Sequence, residues 1–349
     1  MTLAPLRSQA EQLATGGEWT ALYGLLREEA PESLATDSAL AYRFGEALYH
    51  TGRMEELASF AEVYERRSRE SADPLGTQHA LNLAGIAAFE LGRIITAQEK
   101  FDALMELAEA EGDEEMLARA ANNLGAIANL RGRRHEALAY YHLAIPLYQK
   151  LGQARGLAQT HHNLGLSYRD LRRLEDAVTS YIQAAALAEG LRYRPLVAMA
   201  TVGRAEAELL RGDAELAGEL AARGLAAARA VPDPVSEAEG LRVQGLAKAE
   251  GGGLSAVGEP ATRSEGEQRE SGEGLRAAME DLAAALRLAR RVGHTLIEAE
   301  ALRDLGRVAG RLGQTKEARR RLEQAAAGFE SLGAIAEARA VREELGSAS

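Results

Sequence analysis

Asn122–Gly132 reads NNLGAIANLRG, and His162–Arg172 reads HNLGLSYRDLR. The two segments superimpose with a shift of 40 residues. A fixed internal period of this size marks a chain built from stacked supersecondary units. Carrying the shift outwards finds pairs of small residues seven positions apart: Ala10/Gly17, Gly45/Gly52, Gly85/Gly92, Gly125/Gly132, Ala205/Gly212, Gly245/Gly252 and Gly306/Gly313. Gly165/Arg172 is the variant in which the second member is large. Eight units result.

Each unit reads as two antiparallel helices, A and B. The first small residue sits within helix A, where a side chain would keep a neighbouring helix away. The second ends helix A, where glycine accepts the left-handed cap conformation. Helix B repeats small and apolar residues on one face: Ala97, Phe101 and Leu104; Ala137, Tyr141 and Ala144; Ala177, Tyr181 and Ala184; Ala318, Leu322 and Ala325. Further turns are expected at Gly112, Gly152, Pro232, Gly293 and Gly333. Asp73, Asp113 and Asp233 are expected to cap helices, and Thr295 with Glu298 to form a capping box. Pro146, inside a helix B, predicts a kink or an early end. A single hairpin cannot bury its apolar face, so the units must stack. Ala334–Leu345 is expected to cover the last one.

Composition narrows the function. Aromatic residues are 5% of the chain, and there is no cysteine, which excludes disulfides, thiolate metal sites and a cysteine nucleophile. Fifty-two acidic against 41 basic residues give a net charge of −11, the wrong sign for general nucleic-acid binding. Met1–Gly17 lacks the apolar core of a signal peptide, and no apolar run is long enough to span a membrane; the expected location is cytoplasmic. No lysine follows a glycine as in a phosphate-binding loop, and Gly165-Leu166-Ser167 lacks the second glycine of a nucleophile elbow. The histidines form no metal-binding pattern, and acidic pairs such as Glu114-Glu115 read as solvated helix charges. The expectation is a non-catalytic chain without cofactor or metal. Gly251–Gly274 holds seven glycines, three serines and five glutamates, and reads as a disordered insertion within the seventh unit.

The Leu-Gly pairs Leu124-Gly125 and Leu164-Gly165, with the Gly132-to-Ala137 spacing into helix B, resemble the tetratricopeptide repeat, in the roughly 40-residue form of kinesin light chains and many bacterial regulators. The family's early tryptophan is missing from every helix A, and glycine replaces its proline after helix B. The resemblance implies an all-α right-handed superhelical solenoid of about eight hairpins plus a C-terminal capping helix, a single domain over residues 1–349. It also implies a protein- or peptide-binding scaffold whose inner face is lined by helix A. With the mid-helix small residue counted as position 8, the inner positions are 2, 5, 9, 12 and 13, with 6 on the margin. They give Tyr42, Glu46 and Tyr49; His79, Asn82 and Phe89; Arg119, Asn122, Asn123 and Asn129; and Gln159, His162, Asn163, Arg169 and Asp170.

All five asparagines of the chain fall on these positions. Asparagine in a helix costs roughly 0.6 kcal/mol relative to alanine, so five cost about 3 kcal/mol, which stability alone does not explain. Their amides offer the donor and acceptor that an extended peptide backbone needs. Peptide-pheromone receptors with these repeats are similar in gripping backbone with inner-face asparagines. The bland reading has Asn123 and Asn163 bonding to a neighbouring helix instead. Arg303, Arg307 and Arg311 recur every four residues and suit an acidic segment or free C-terminus, unless Glu300 and Asp304 neutralise them. Tyr42 and Glu46 replace the residues of the family's chaperone-tail clamp, so that binding is not expected. Two alternatives stand: a ligand- or peptide-sensing regulator whose output module is a separate chain, and an assembly protein self-associating through its ends.

Overall fold

The computed structural model describes residues 4–231, 233–251 and 265–347. All regular structure among them is helical. The described chain forms two compact units, residues 1–156 and 157–349.

The first unit carries α1 (Ala4–Thr15), α2 (Trp19–Leu26), the short α3 (Pro31–Leu34), α4 (Ser38–His50), α5 (Met54–Glu70), α6 (Pro74–Glu90), α7 (Ile94–Glu111), α8 (Glu114–Leu130) and α9 (Arg134–Leu151). Consecutive helices pack as hairpins, and the A helices α4, α6 and α8 also touch one another in a row. The repeat period acts through its glycines. A Cβ on Gly125 would overlap the Tyr141 ring, so the glycine lets α9 close onto α8. Asp37, Asp73 and Asp113 cap α4, α6 and α8 through their carboxylates. Asp73 also accepts a hydrogen bond from Ser38, which ties the start of α6 to the start of α4 in the preceding hairpin. The core runs through Leu22, Leu40, Phe44, Leu57, Phe60 and Tyr64, then Phe101 and Leu104.

Helix α9 does not end at Pro146 but continues to Leu151. Pro146 is exposed, as is His142 one turn before it, so the proline ring sits on the solvent side of the helix. Burial of Tyr141, Ala144 and Tyr148 holds the opposite face.

The second unit carries all but the first three residues of α10 (Ala154–Asp170), then α11 (Leu174–Gly190), α12 (Arg194–Arg211), α13 (Ala214–Arg229), α14 (Pro234–Gly251), α15 (Glu265–Val292), α16 (Thr295–Arg311), α17 (Thr315–Ser331) and α18 (Ile335–Ser347). The A helices α12, α14 and α16 again contact in a row, and α18 covers α17. Tyr181 fills the space above both Gly165 and Gly203, bridging two repeats. Arg172, where the period otherwise has glycine, takes the left-handed turn itself, with φ of 60°.

Two local expectations are corrected here. The cap of α16 is His294, whose Nδ1 accepts from the Ile297 amide at 3.3 Å; Thr295 is already the first helical residue, and Glu298 pairs with Arg290 at 2.7 Å. The stretch Gly251–Gly274, expected to be disordered, is helical at Gly251 and again from Glu265 onward; residues 252–264 lie outside those described. Glutamate, glutamine and arginine between the glycines are good helix formers, and extending an existing helix avoids the cost of nucleation.

Candidate functional site

In the first unit the expected residues of α4, α6 and α8 meet around one stacked pair. The Tyr42 ring lies on the His79 ring with centroids 4.2 Å apart and planes at 26°. Burial, reinforced by the Arg119 charge, holds the His79 imidazole down at about 4, so it is neutral at pH 7. Arg119 donates to Glu115 at 2.9 Å, which keeps its charge locally balanced. Beside His79, Gln78 and Asn82 are 2% and 1% exposed, and their carbonyl oxygens make no hydrogen bond. His79 Nδ1 is likewise buried and unbonded.

The remaining asparagines differ from Asn82. Asn122 donates to Asn123 at 3.4 Å within α8, and the Asn129 backbone carbonyl accepts from Arg134. All three are part-buried. Phe89 packs against the core of α7 and α8 and is not offered as a free aromatic. Tyr49 is 38% exposed and meets the edge of His50, which stacks on Trp19 at 4.1 Å. Glu46 is held by Arg43 at 2.5 Å.

In the second unit the inner positions form a chain of ion pairs. Arg169 of α10 binds Asp170 at 2.8 Å and reaches Glu206 of α12. Glu206 accepts from Arg242 of α14 at 2.6 Å, and Arg242 continues to Asp304 of α16 at 3.0 Å, with Glu300 at 3.5 Å. Asp304 also accepts from Arg303 at 2.9 Å. The two flanking arginines hold the Glu206 carboxyl far below its ordinary range, against the opposing effect of burial. Glu239 sits on the same face without an ion pair among the described residues; burial pushes its carboxyl up to about 7, and Glu300 and Glu206 add to this while Arg242 opposes it.

The arginine series on α16 does not act as one fork. Arg303 holds Asp304, Arg307 holds Glu344 of α18 at 3.0 Å, and Arg311 holds Glu250 of α14 at 2.9 Å. Upstream, Gln159 donates to Asn163 at 3.1 Å along α10. His162 is buried beside Tyr181, with ring centroids 5.6 Å apart, and burial then Arg169 hold it down at about 4. Sequence reading missed Gln78, Glu206, Glu239 and Arg242. The last three stand at positions 9, 2 and 5 of units six and seven, so the same positional count, applied to those two units, would have found them. Among the described residues no group of histidine and carboxylate side chains is placed to hold a metal, and no helix is long and apolar enough to cross a membrane.

The tetratricopeptide-repeat family profile matches residues 117–151 and 157–191. A comparison with curated protein sequences gives no match. Among solved structures, a Rap protein complexed with competence and sporulation factor is similar over 99% of this chain and 97% of its own, at 14% identity and a TM-score of 0.60. NprR in complex with its cognate peptide NprX is similar over 84% of this chain and 81% of its own, at 15% identity and a TM-score of 0.58. BtubC from P. vanneervenii is similar over 66% of this chain and 91% of its own, at 17% identity and a TM-score of 0.51. At these identities the likeness speaks for the fold. Together with the 40-residue period, the hairpin order and the rows of touching A helices within each unit, it gives this chain the fold of a tetratricopeptide-repeat solenoid, with residues 117–151 and 157–191 matching that family's profile.

Proposed function

We propose that this chain is a non-catalytic peptide-binding adaptor or sensor that holds an extended partner segment along the face of its A helices. One observation carries the reading: that face collects amide and imidazole groups that folding does not use. Gln78 and Asn82 are buried with unbonded oxygens, a costly arrangement of about 1–3 kcal/mol for each such group. A bound segment supplies donors and acceptors from its main chain and its polar side chains, which is the complement such a surface lacks. The solved relatives with a bound peptide support the same reading. A sensor is favoured over a passive scaffold by the likeness to a Rap conjugation gene regulator solved in complex with the Phr* peptide.

The test is selection of phage-displayed random heptapeptides on the full chain, followed by calorimetry with the enriched peptide. Saturable one-to-one binding is expected, with Kd on the order of micromolar, about −8 kcal/mol. Failure of any heptapeptide to enrich above the bare support sinks the reading.

A further inference from the structure

Resting on that peptide-groove reading, we propose that the Gln78–His79–Asn82 face of α6 is a subsite for a neutral carboxamide, the side chain of a glutamine or asparagine carried by the bound segment. Residues 78, 79 and 82 fall within about 100° of one another around the helix, so their side chains share one face. Gln78 Oε1, His79 Nδ1 and Asn82 Oδ1 are all buried and all without a hydrogen bond. Buried polar groups are ordinarily paired, and three unpaired ones within a single turn and a half call for a partner that brings its own polar atoms.

Charge selects the class of partner. His79 is neutral, because burial and the nearby Arg119 both disfavour the imidazolium. Arg119 is itself engaged by Glu115. Asp113, Glu115 and Asp73 favour positive charge at His79, but burial and then Arg119 outweigh them, so a cationic group entering here is disfavoured as the imidazolium is. An anionic group must displace Glu115. A carboxamide carries no charge and offers two N–H donors and a carbonyl, matching amide and imidazole partners together.

Burial selects side chain over main chain. A peptide backbone running along the helix row cannot approach atoms as enclosed as those of Gln78 and Asn82, each at most 2% exposed. A side chain extends sideways from the segment and reaches further in than the main chain, beside the Tyr42 ring stacked on His79. Glutamine reaches further than asparagine and is the better fit.

The experiment uses the same random heptapeptide library on the full chain, with sequencing of the selected pools. Wild type should enrich glutamine or asparagine at one fixed position by about tenfold, equivalent to one decade in affinity. The double variant Gln78→Leu, Asn82→Leu should lose that enrichment and keep the others. Gln78→Glu, which preserves the side-chain shape, should move the preference at that position to lysine or arginine, and it decides the matter alone if the double variant does not fold. Peptides that enrich with no carboxamide preference, or a preference that survives Gln78→Glu unchanged, overturn the subsite and leave the groove reading standing. A wild-type pool with no enrichment overturns both.

Discussion

Arg242 and Asp304, 62 residues apart in sequence, meet at 3.0 Å between α14 and α16, and both are almost wholly buried. This pair joins the seventh repeat to the eighth across the face on which a partner would lie. Its desolvation is offset by three carboxylates around one guanidinium and by the further bond from Arg303. Removing a single partner leaves a buried charge uncompensated. Asp304→Ala leaves Arg303 without its bonded carboxylate and Arg242 with only Glu206 and Glu300, and should lower stability by about 1–3 kcal/mol in urea titration. Replacing Arg242 and Asp304 together by methionine and leucine should recover much of that loss. A single replacement that costs less than about 1 kcal/mol would show that the network is hydrated and structurally idle.

Glu239 gives the second unit a pH dependence of unusual sign for a carboxylate. Its folded value of about 7 lies above the ordinary 4.5, so between the two the folded state binds more protons than the unfolded one. The stabilisation is complete below about 4.5 and is lost as pH rises through about 7. Glu239→Gln should raise stability at pH 8 by about 1–3 kcal/mol, since a tenfold change in proton affinity is worth about 1.4 kcal/mol and partial exposure reduces the effect. Thermal melts at pH 5, 6.5 and 8 should show the difference between variant and wild type growing with pH. A difference that stays constant removes Glu239 as its source.

Arg172 holds the left-handed conformation that glycine holds in the equivalent turns at Gly52, Gly92 and Gly132. A side chain there costs roughly 1–2 kcal/mol. The residue is exposed, so Arg172→Gly should stabilise the protein by about 1 kcal/mol, seen as a higher melting temperature with unchanged helix content. The same change at Ala72, also left-handed with φ of 51°, provides an independent repeat of the measurement.

The asparagines separate function from folding. Replacing Asn82, Asn122 and Asn129 by alanine raises helix propensity at three sites, by about 2 kcal/mol in total. The triple variant should melt at the same temperature or higher. Binding of a selected heptapeptide should weaken by roughly 1–3 kcal/mol, for loss of buried hydrogen bonds. A variant that melts markedly lower while binding normally would assign these residues to the scaffold.

The period, the hairpins and their number were legible from residues close together in the chain. A glycine under Tyr141, a left-handed glycine after helix A and an aspartate before it each act within one hairpin, so spacing alone discloses them. The tyrosine, histidine and asparagine positions of the first unit were legible too, because a helix repeats its faces regularly. Other features depended on context. Pro146 was tolerated because its face is exposed, Thr295 yielded the cap to His294, and the glutamate-rich stretch from Glu265 was drawn into an existing helix. The ion-pair chain through Arg169, Glu206, Arg242 and Asp304 joins residues 36 to 62 positions apart; the count places Glu239 on the same face, but nothing local says that it stands outside the chain of pairs. Helical periodicity is a property of neighbouring residues and can be read from the chain. Which charge finds a partner, and which is buried without one, depends on distances between helices that only their packing sets.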